Sequence, residues 1–146
     1  MRKSVKIFCS SSLAFKSSIW NNLKNKFNFS FQEFIDLENF SVSSLQNDVN
    51  FIILIIEDLL KYRSSNQSSL IKALEKEILR ITKKTSKKIV ISVISQDSGN
   101  IMNFVKTEDP KKKFFYSLKT KIVKHVKNNE NLFFFDLDSI FISVGY

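Results

Sequence analysis

Cysteine is almost absent from this chain: Cys9 is the one thiol among 146 residues, so no internal disulfide can form and no cysteine-based zinc site can be assembled. Glycine is nearly as scarce. Neither Gly99 nor Gly145 opens a helix after the first strand, so no glycine-rich loop cradles a phosphate, which argues against Rossmann and P-loop nucleotide sites. No apolar segment approaches the roughly 20 residues needed to cross a bilayer. The start, MRKSVKIFCSSS, has basic residues but no sustained apolar stretch, so a soluble, cytoplasmic protein without a membrane span is expected. Histidine occurs once, as His125, which restricts any chemistry that needs an imidazole base.

Acidic residues are outnumbered, 14 against 23 Lys and Arg, which leaves a net charge of +9. The excess lies mainly in the second half, in Lys83, Lys84, Lys87 and Lys88 and then in Lys111, Lys112 and Lys113, with Lys119, Lys121, Lys124 and Lys127 beyond. Such a field attracts nucleic acid, an anionic membrane or an acidic protein, and it also keeps a protein in solution. Aromatics interleaved with the bases would be needed for a nucleic-acid stacking surface. Most of the 15 phenylalanines fall instead on apolar stripes or strands, so nucleic acid is an unlikely partner. At this length and 43% hydrophobic content one core is the natural size, and a single domain over 1–146 is expected.

The chain is organised around Val49 to Leu60, VNFIILIIEDLL, whose apolar run ends at Glu57 and Asp58. A run that short and rich in branched residues predicts a strand buried on both faces, in the middle of a parallel sheet covered by helices. Val5 to Ser10 predicts a first strand. Phe15, Ile19, Leu23 and Phe27, with Trp20, put one apolar face on a helix over about Leu13 to Lys26. Asn28 to Ile35 alternates as an edge strand would, with a short irregular or helical turn over Gln32 to Phe40 as the alternative. Beyond the polar loop Lys61 to Ser69, in which Ser68 or Ser69 is placed as a cap, Ile71, Leu74, Ile78 and Ile81 mark an amphipathic helix to about Lys84.

Ile89 to Ile94 is another buried strand, followed by a loop from Ser95 to Pro110. Pro110 suits the first turn of a helix whose buried stripe is Phe115, Leu118, Ile122 and Val126, with the lysines facing water. Leu132 to Phe135 closes the sheet as a fifth strand, and Asp138 or Ser139 could cap a terminal helical turn. The β-α alternation without a hairpin signal predicts an α/β sandwich with a mainly parallel sheet.

In such a sheet, ligands bind beyond the carboxyl ends of the strands. That rule selects Ser10 to Ser12, Glu57 with Asp58, Ser95 to Asp97, and Asp136 with Asp138. Each also has a plain structural role, since serines cap helices and carboxylates after a strand favour the next helix dipole. A phosphoacceptor receiver domain would need acidic residues after the first strand, where this chain has serines. The run LFFFDLDSI, Leu132 to Ile140, imitates the aspartate pair that opens a haloacid-dehalogenase phosphatase, but it stands at the end of the chain. His125 follows Leu118 by seven residues and Ile122 by three, which places it beside the buried helical stripe rather than at the strand ends. A serine nucleophile lacks a visible base there.

In their order, KIFCSSS, FSFQEFI, NFIILIIEDLL, KKIVISVIS, FFYSLKTKIVKHV and LFFFDLDSIFISVGY resemble the N-terminal, SGNH-hydrolase-like domain of FkbH-like proteins of the haloacid-dehalogenase superfamily, subfamily IIIC. The resemblance implies a flavodoxin-like three-layer α/β/α fold with a sheet of about five strands. In that family the domain precedes a haloacid-dehalogenase-type catalytic domain, absent here, which loads a glyceryl unit onto an acyl carrier protein. It also implies Ser10 or Ser11 at the nucleophile's place and Asp138 nearby as candidate catalytic residues. The Gly-Asp that precedes the family's serine is missing, however, and Phe141 stands where the Asp-x-x-His block has its histidine.

Two readings follow. In the first, this is an auxiliary domain without hydrolase activity, in carrier-protein-dependent glyceryl transfer or surface-glycan or polyketide biosynthesis. Lys111, Lys112 and Lys113 then bind an acidic partner such as an acyl carrier protein, or a haloacid-dehalogenase-type domain. In the second, it is an SGNH-type esterase or acyltransferase. Glu57, Asp58, Ser95 and Asp97 are the candidate ligand-binding residues, and neither a metal nor a cofactor is expected.

Overall fold

The computed structural model describes residues 2–9, 28–33, 40, 44–61, 66–95, 110–137, 139 and 140. The expected helix over 13–26, and the candidates Ser10, Ser11, Asp97 and Asp138, lie outside those residues.

Strand β3, Val49–Ile55, is buried without interruption from Ile52 to Ile55, as its run of branched residues demands of an interior strand. It pairs in parallel with β1, Ser4–Cys9, on one side and with β4, Lys88–Ile94, on the other. Strand β2, Asn28–Glu33, lies outside β1, and β5, Leu132–Phe134, lies outside β4, both again parallel. The resulting order is β2-β1-β3-β4-β5. This is the flavodoxin-like order, in which the direction of winding reverses between β1 and β3.

Both faces of the sheet are buried, which makes it the middle layer of a three-layer α/β sandwich. On one face Phe8, Ile52, Leu54, Ile89, Ile91 and Val93 meet two helices, α2 (Gln67–Lys84) and α3 (Pro110–Val126), through Leu74, Ile78, Ile81, Phe114, Leu118 and Ile122. On the other face Ile7, Cys9, Ile53, Ile55 and Ile94 form a smaller cluster, with Leu137 packed against it.

The expected strand over the apolar run Phe51 to Ile56 ends one residue earlier, at Ile55. The backbone turns at Ile56 into a short helix, α1 (Ile56–Lys61), that carries Glu57 and Asp58 in its first turn. Carboxylates at a helix start are stabilised by the positive end of its dipole, so the acidic pair opens a helix rather than merely stopping a strand. Leu59 and Leu60 then pack beside the main core.

Helix α2 is capped by neither Ser68 nor Ser69. Asn66 occupies the cap: its side-chain oxygen accepts from the Ser68 backbone N–H at 2.9 Å, and its carbonyl accepts from Leu70 N–H at 3.1 Å. Asparagine is at least as good a cap as serine, and here it starts the ladder two residues earlier than Ser68 would. At the far end of α2, the Asn131 side-chain nitrogen donates to the carbonyls of Thr85 at 2.7 Å, Thr82 at 3.1 Å and Lys87 at 3.3 Å. That amide fastens the turn between α2 and β4 to the start of β5.

In α3 the buried stripe comprises Phe114, Phe115, Leu118 and Ile122, with Val126 partly buried at its end. Pro110 is the first helical residue, where its missing N–H costs no hydrogen bond. The terminal turn is capped by Asp136, whose Oδ1 accepts from Ser139 N–H at 3.1 Å, rather than by Ser139. Among the described residues no helix is long and apolar enough to cross a membrane.

Candidate functional site

Three polar side chains converge at the carboxyl edge of the sheet. Glu57 enters from the first turn of α1, Ser95 directly follows β4, and Lys111 is the second residue of α3. The Ser95 hydroxyl donates to Glu57 Oε1 at 2.6 Å, and Lys111 Nζ lies 2.5 Å from the same oxygen. The side chains of Lys111 and Glu57 are 26% and 22% exposed, so their ion pair is less screened by water than one on the open surface. The arrangement ties β3, β4 and α3 together at the edge where the fold gathers ligands. Chemically, it is a charge-neutral carboxylate-ammonium pair with a hydroxyl on the same oxygen.

Of the candidate ligand-binding residues, Glu57 and Ser95 are therefore brought together, and Asp58 is half-buried next to Glu57 on α1. The lysine run divides. Lys111 turns inward to Glu57, which corrects the expectation that the α3 lysines all face water, while Lys112 and Lys113 are exposed. Lys119 also departs from the expected wet face. Its ammonium donates to Asp136 Oδ2 at 2.7 Å and lies 5.6 Å from the Phe134 ring centroid.

Burial pushes the Asp136 carboxyl up, but the hydrogen bonds from Lys119 and Ser139 and the Lys119 charge outweigh it, and the group is held below its ordinary value of 3.8. Asp48 is likewise held below 3.8, chiefly by hydrogen bonds from the Ser4 backbone and hydroxyl, which clip the start of β1 to the residue before β3.

His125 stands apart from the strand ends. Its Nε2 lies 2.5 Å from Glu75 Oε1 on α2, and the side chains are 18% and 22% exposed. The two residues bridge α2 and α3 beside the buried stripe. Fourteen residues separate His125 from Lys111 on one helix, about 21 Å at about 1.5 Å per residue. The imidazole is thus out of reach of the Glu57–Ser95–Lys111 group. Among the described residues no three His, Cys, Asp or Glu side chains gather as a metal-ligand set.

The reading of residues in order placed Lys111 among the partner-binding lysines but did not foresee it as the partner of Glu57, nor Glu75 as the partner of His125. The first contact spans α1 and α3, and the second joins residues 50 apart in the chain. A usable signal did exist for Glu75, since it sits one residue after the buried Leu74 and so borders the same helical stripe.

No known protein family and no curated protein matches the chain. The solved structure of the N-terminal part of the protein BF1531 from Bacteroides fragilis, containing a phosphatase domain complexed with Mg, is similar over 99% of this chain, with a TM-score of 0.67 at 13% sequence identity. The chain spans 43% of that structure's length. It therefore shares its α/β fold with part of a larger phosphatase-domain protein.

Proposed function

We propose that the chain is an auxiliary, partner-binding SGNH-like domain of the FkbH-like type. In this reading it acts beside a haloacid-dehalogenase-type catalytic domain in carrier-protein-dependent glyceryl transfer, or in surface-glycan or polyketide biosynthesis, and has no hydrolase activity of its own. The observation that carries the reading is α3: PKKKFFYSLKTKIVKHV holds no acidic residue, and Lys112, Lys113, Lys121 and Lys124 are exposed along it. Acyl carrier proteins are acidic, so a helix of one sign speeds encounter with them and makes the complex sensitive to salt. The similarity to part of a phosphatase-domain protein supports the same setting.

The test is a calorimetric titration with a purified acyl carrier protein at low ionic strength. The wild-type chain is expected to bind and the Lys112→Glu/Lys113→Glu variant to bind at least about tenfold more weakly. Absence of binding by the wild type contradicts the proposal.

A second reading is supported by topology. Cys9 ends β1 at the place where the sheet reverses, beside the crevice in which this fold binds ligands. An SGNH-type esterase or acyltransferase would use Ser10 or Ser11 there. His125, engaged by Glu75 on the far part of α3, supports the non-hydrolytic reading instead. A fluorophosphonate probe separates the two: a mass adduct lost in Ser10→Ala or Ser11→Ala establishes an activated serine, and an unlabelled folded sample favours the partner-binding domain.

A further inference from the structure

The side of α3 turned away from the core carries more than charge. Phe114, Phe115, Leu118 and Ile122 take the inner stripe, yet Tyr116 and Val123 remain 63% and 38% exposed on the outer one. Along that outer side Lys113, Tyr116, Thr120 and Val123 are all exposed, and they follow one another at intervals of three, four and three. That is the spacing of the seam on which a second helix packs. Thr120 keeps its hydroxyl on its own helix, donating to the Tyr116 carbonyl at 2.8 Å, so the middle of the row demands no polar partner.

Lysines surround this row. Lys112 and Lys113 precede Tyr116, and Lys121, Lys124 and Lys127 flank or follow Val123. The lysines at the start of α3 oppose the positive end of the helix dipole, and Glu57 answers one of them by pairing with Lys111.

We infer that the outer face of α3 is the docking surface for an acidic amphipathic helix of a partner protein, packed along Tyr116, Thr120 and Val123 with its carboxylates against the surrounding lysines. The inference rests on the partner-binding reading and gives it an interface. Tyr116 is the anchor of the type that dominates binding at such contacts, an exposed aromatic ring amid charge. Two other anionic partners fit less well. A membrane surface would need a broad apolar face, and this one has two large apolar side chains. Nucleic acid would use a tyrosine to stack but has no use for a valine in register one heptad further on.

The test uses the whole chain and a synthetic helical peptide of about three heptads, with leucine at the seam and glutamate on both flanks. Backbone amide shifts are recorded during the titration, alongside dissociation constants for the wild type, Tyr116→Ser/Val123→Ser, and Lys112→Glu/Lys113→Glu. Both substituted pairs are exposed, so the variants should fold. The expected result is shift changes concentrated on residues 112–127 and a loss of about tenfold or more in the Tyr116→Ser/Val123→Ser variant at every salt concentration.

If that variant binds as the wild type does while the lysine variant fails, the seam is overturned and a purely electrostatic surface stands. Peptide binding at the seam without binding of an acyl carrier protein sustains this inference and removes the carrier reading. The inference is also overturned if the peptide does not bind, or if phosphatidylserine vesicles or an oligonucleotide occupy residues 112–127 while the peptide does not.

Discussion

Glu57 ties three elements together at the carboxyl edge of the sheet, because one of its oxygens takes both the Ser95 hydroxyl and the Lys111 ammonium. Replacing it with glutamine keeps an acceptor for Ser95 but leaves Lys111 a partly buried charge without its counter-ion. The expected loss in urea denaturation is about 1–3 kcal/mol, in the range for breaking a charge-assisted hydrogen bond. Asn131 makes a comparable prediction for a neutral group. Asn131→Ala leaves the Thr85 carbonyl without its 2.7 Å donor and should reduce stability by about 1–2 kcal/mol.

Asp136 gives the residue-scale account a pH dependence. Its carboxyl is held below 3.8 in the folded chain, so between the folded value and 3.8 the unfolded chain binds more protons, and raising the pH favours folding. Its contribution is complete above that window and is lost as the pH falls through the folded value. Asp136→Asn should therefore flatten the dependence of the urea midpoint on pH below about 4 while leaving its slope near neutrality unchanged. Asp48 acts with the same sign and remains in that variant, so some acid sensitivity should persist.

Among the elements, α2 was the most legible in the sequence. Its apolar positions keep strict helical spacing, and Leu74, Ile78 and Ile81 are all buried as that spacing requires. Ile78→Ala should cost about 2–5 kcal/mol by leaving a cavity between α2 and the sheet, whereas Asn66→Ala should cost about 1 kcal/mol by removing a cap. Elsewhere local pattern and tertiary structure part. The boundary of β3 at Ile55 has no glycine, proline or cap residue to announce it, because Ile56 is buried whether the backbone is extended or helical. Periodicity also misjudged α3. Phe114 joins the buried stripe and Lys111 and Lys119 lean into polar partners, since strand ends far along the chain supply Glu57 and Asp136. The same helix makes an element-scale prediction with opposed effects: Lys113→Glu should raise the thermal midpoint by complementing the dipole while weakening acidic partners.

For the molecule as a whole, the parallel order β2-β1-β3-β4-β5 decides where side chains distant in sequence can meet. The rule that ligands gather at carboxyl strand ends pointed from sequence alone to Glu57 and Ser95, which the fold brings within 2.6 Å. It had no way to add Lys111, whose position depends on how α3 docks, or to separate that lysine from Lys112 and Lys113. Charge is the property that spans the whole molecule: at +9, with an acid-free helix on its surface, the chain should associate with acidic proteins quickly and reversibly.

The most direct test is the ionic-strength dependence of the dissociation constant for an acyl carrier protein, measured by calorimetry on the wild-type chain. Binding that weakens steadily as salt rises, with a shallower dependence in Lys112→Glu/Lys113→Glu, is the predicted result. Binding indifferent to salt, or no binding at the lowest ionic strength, would contradict it.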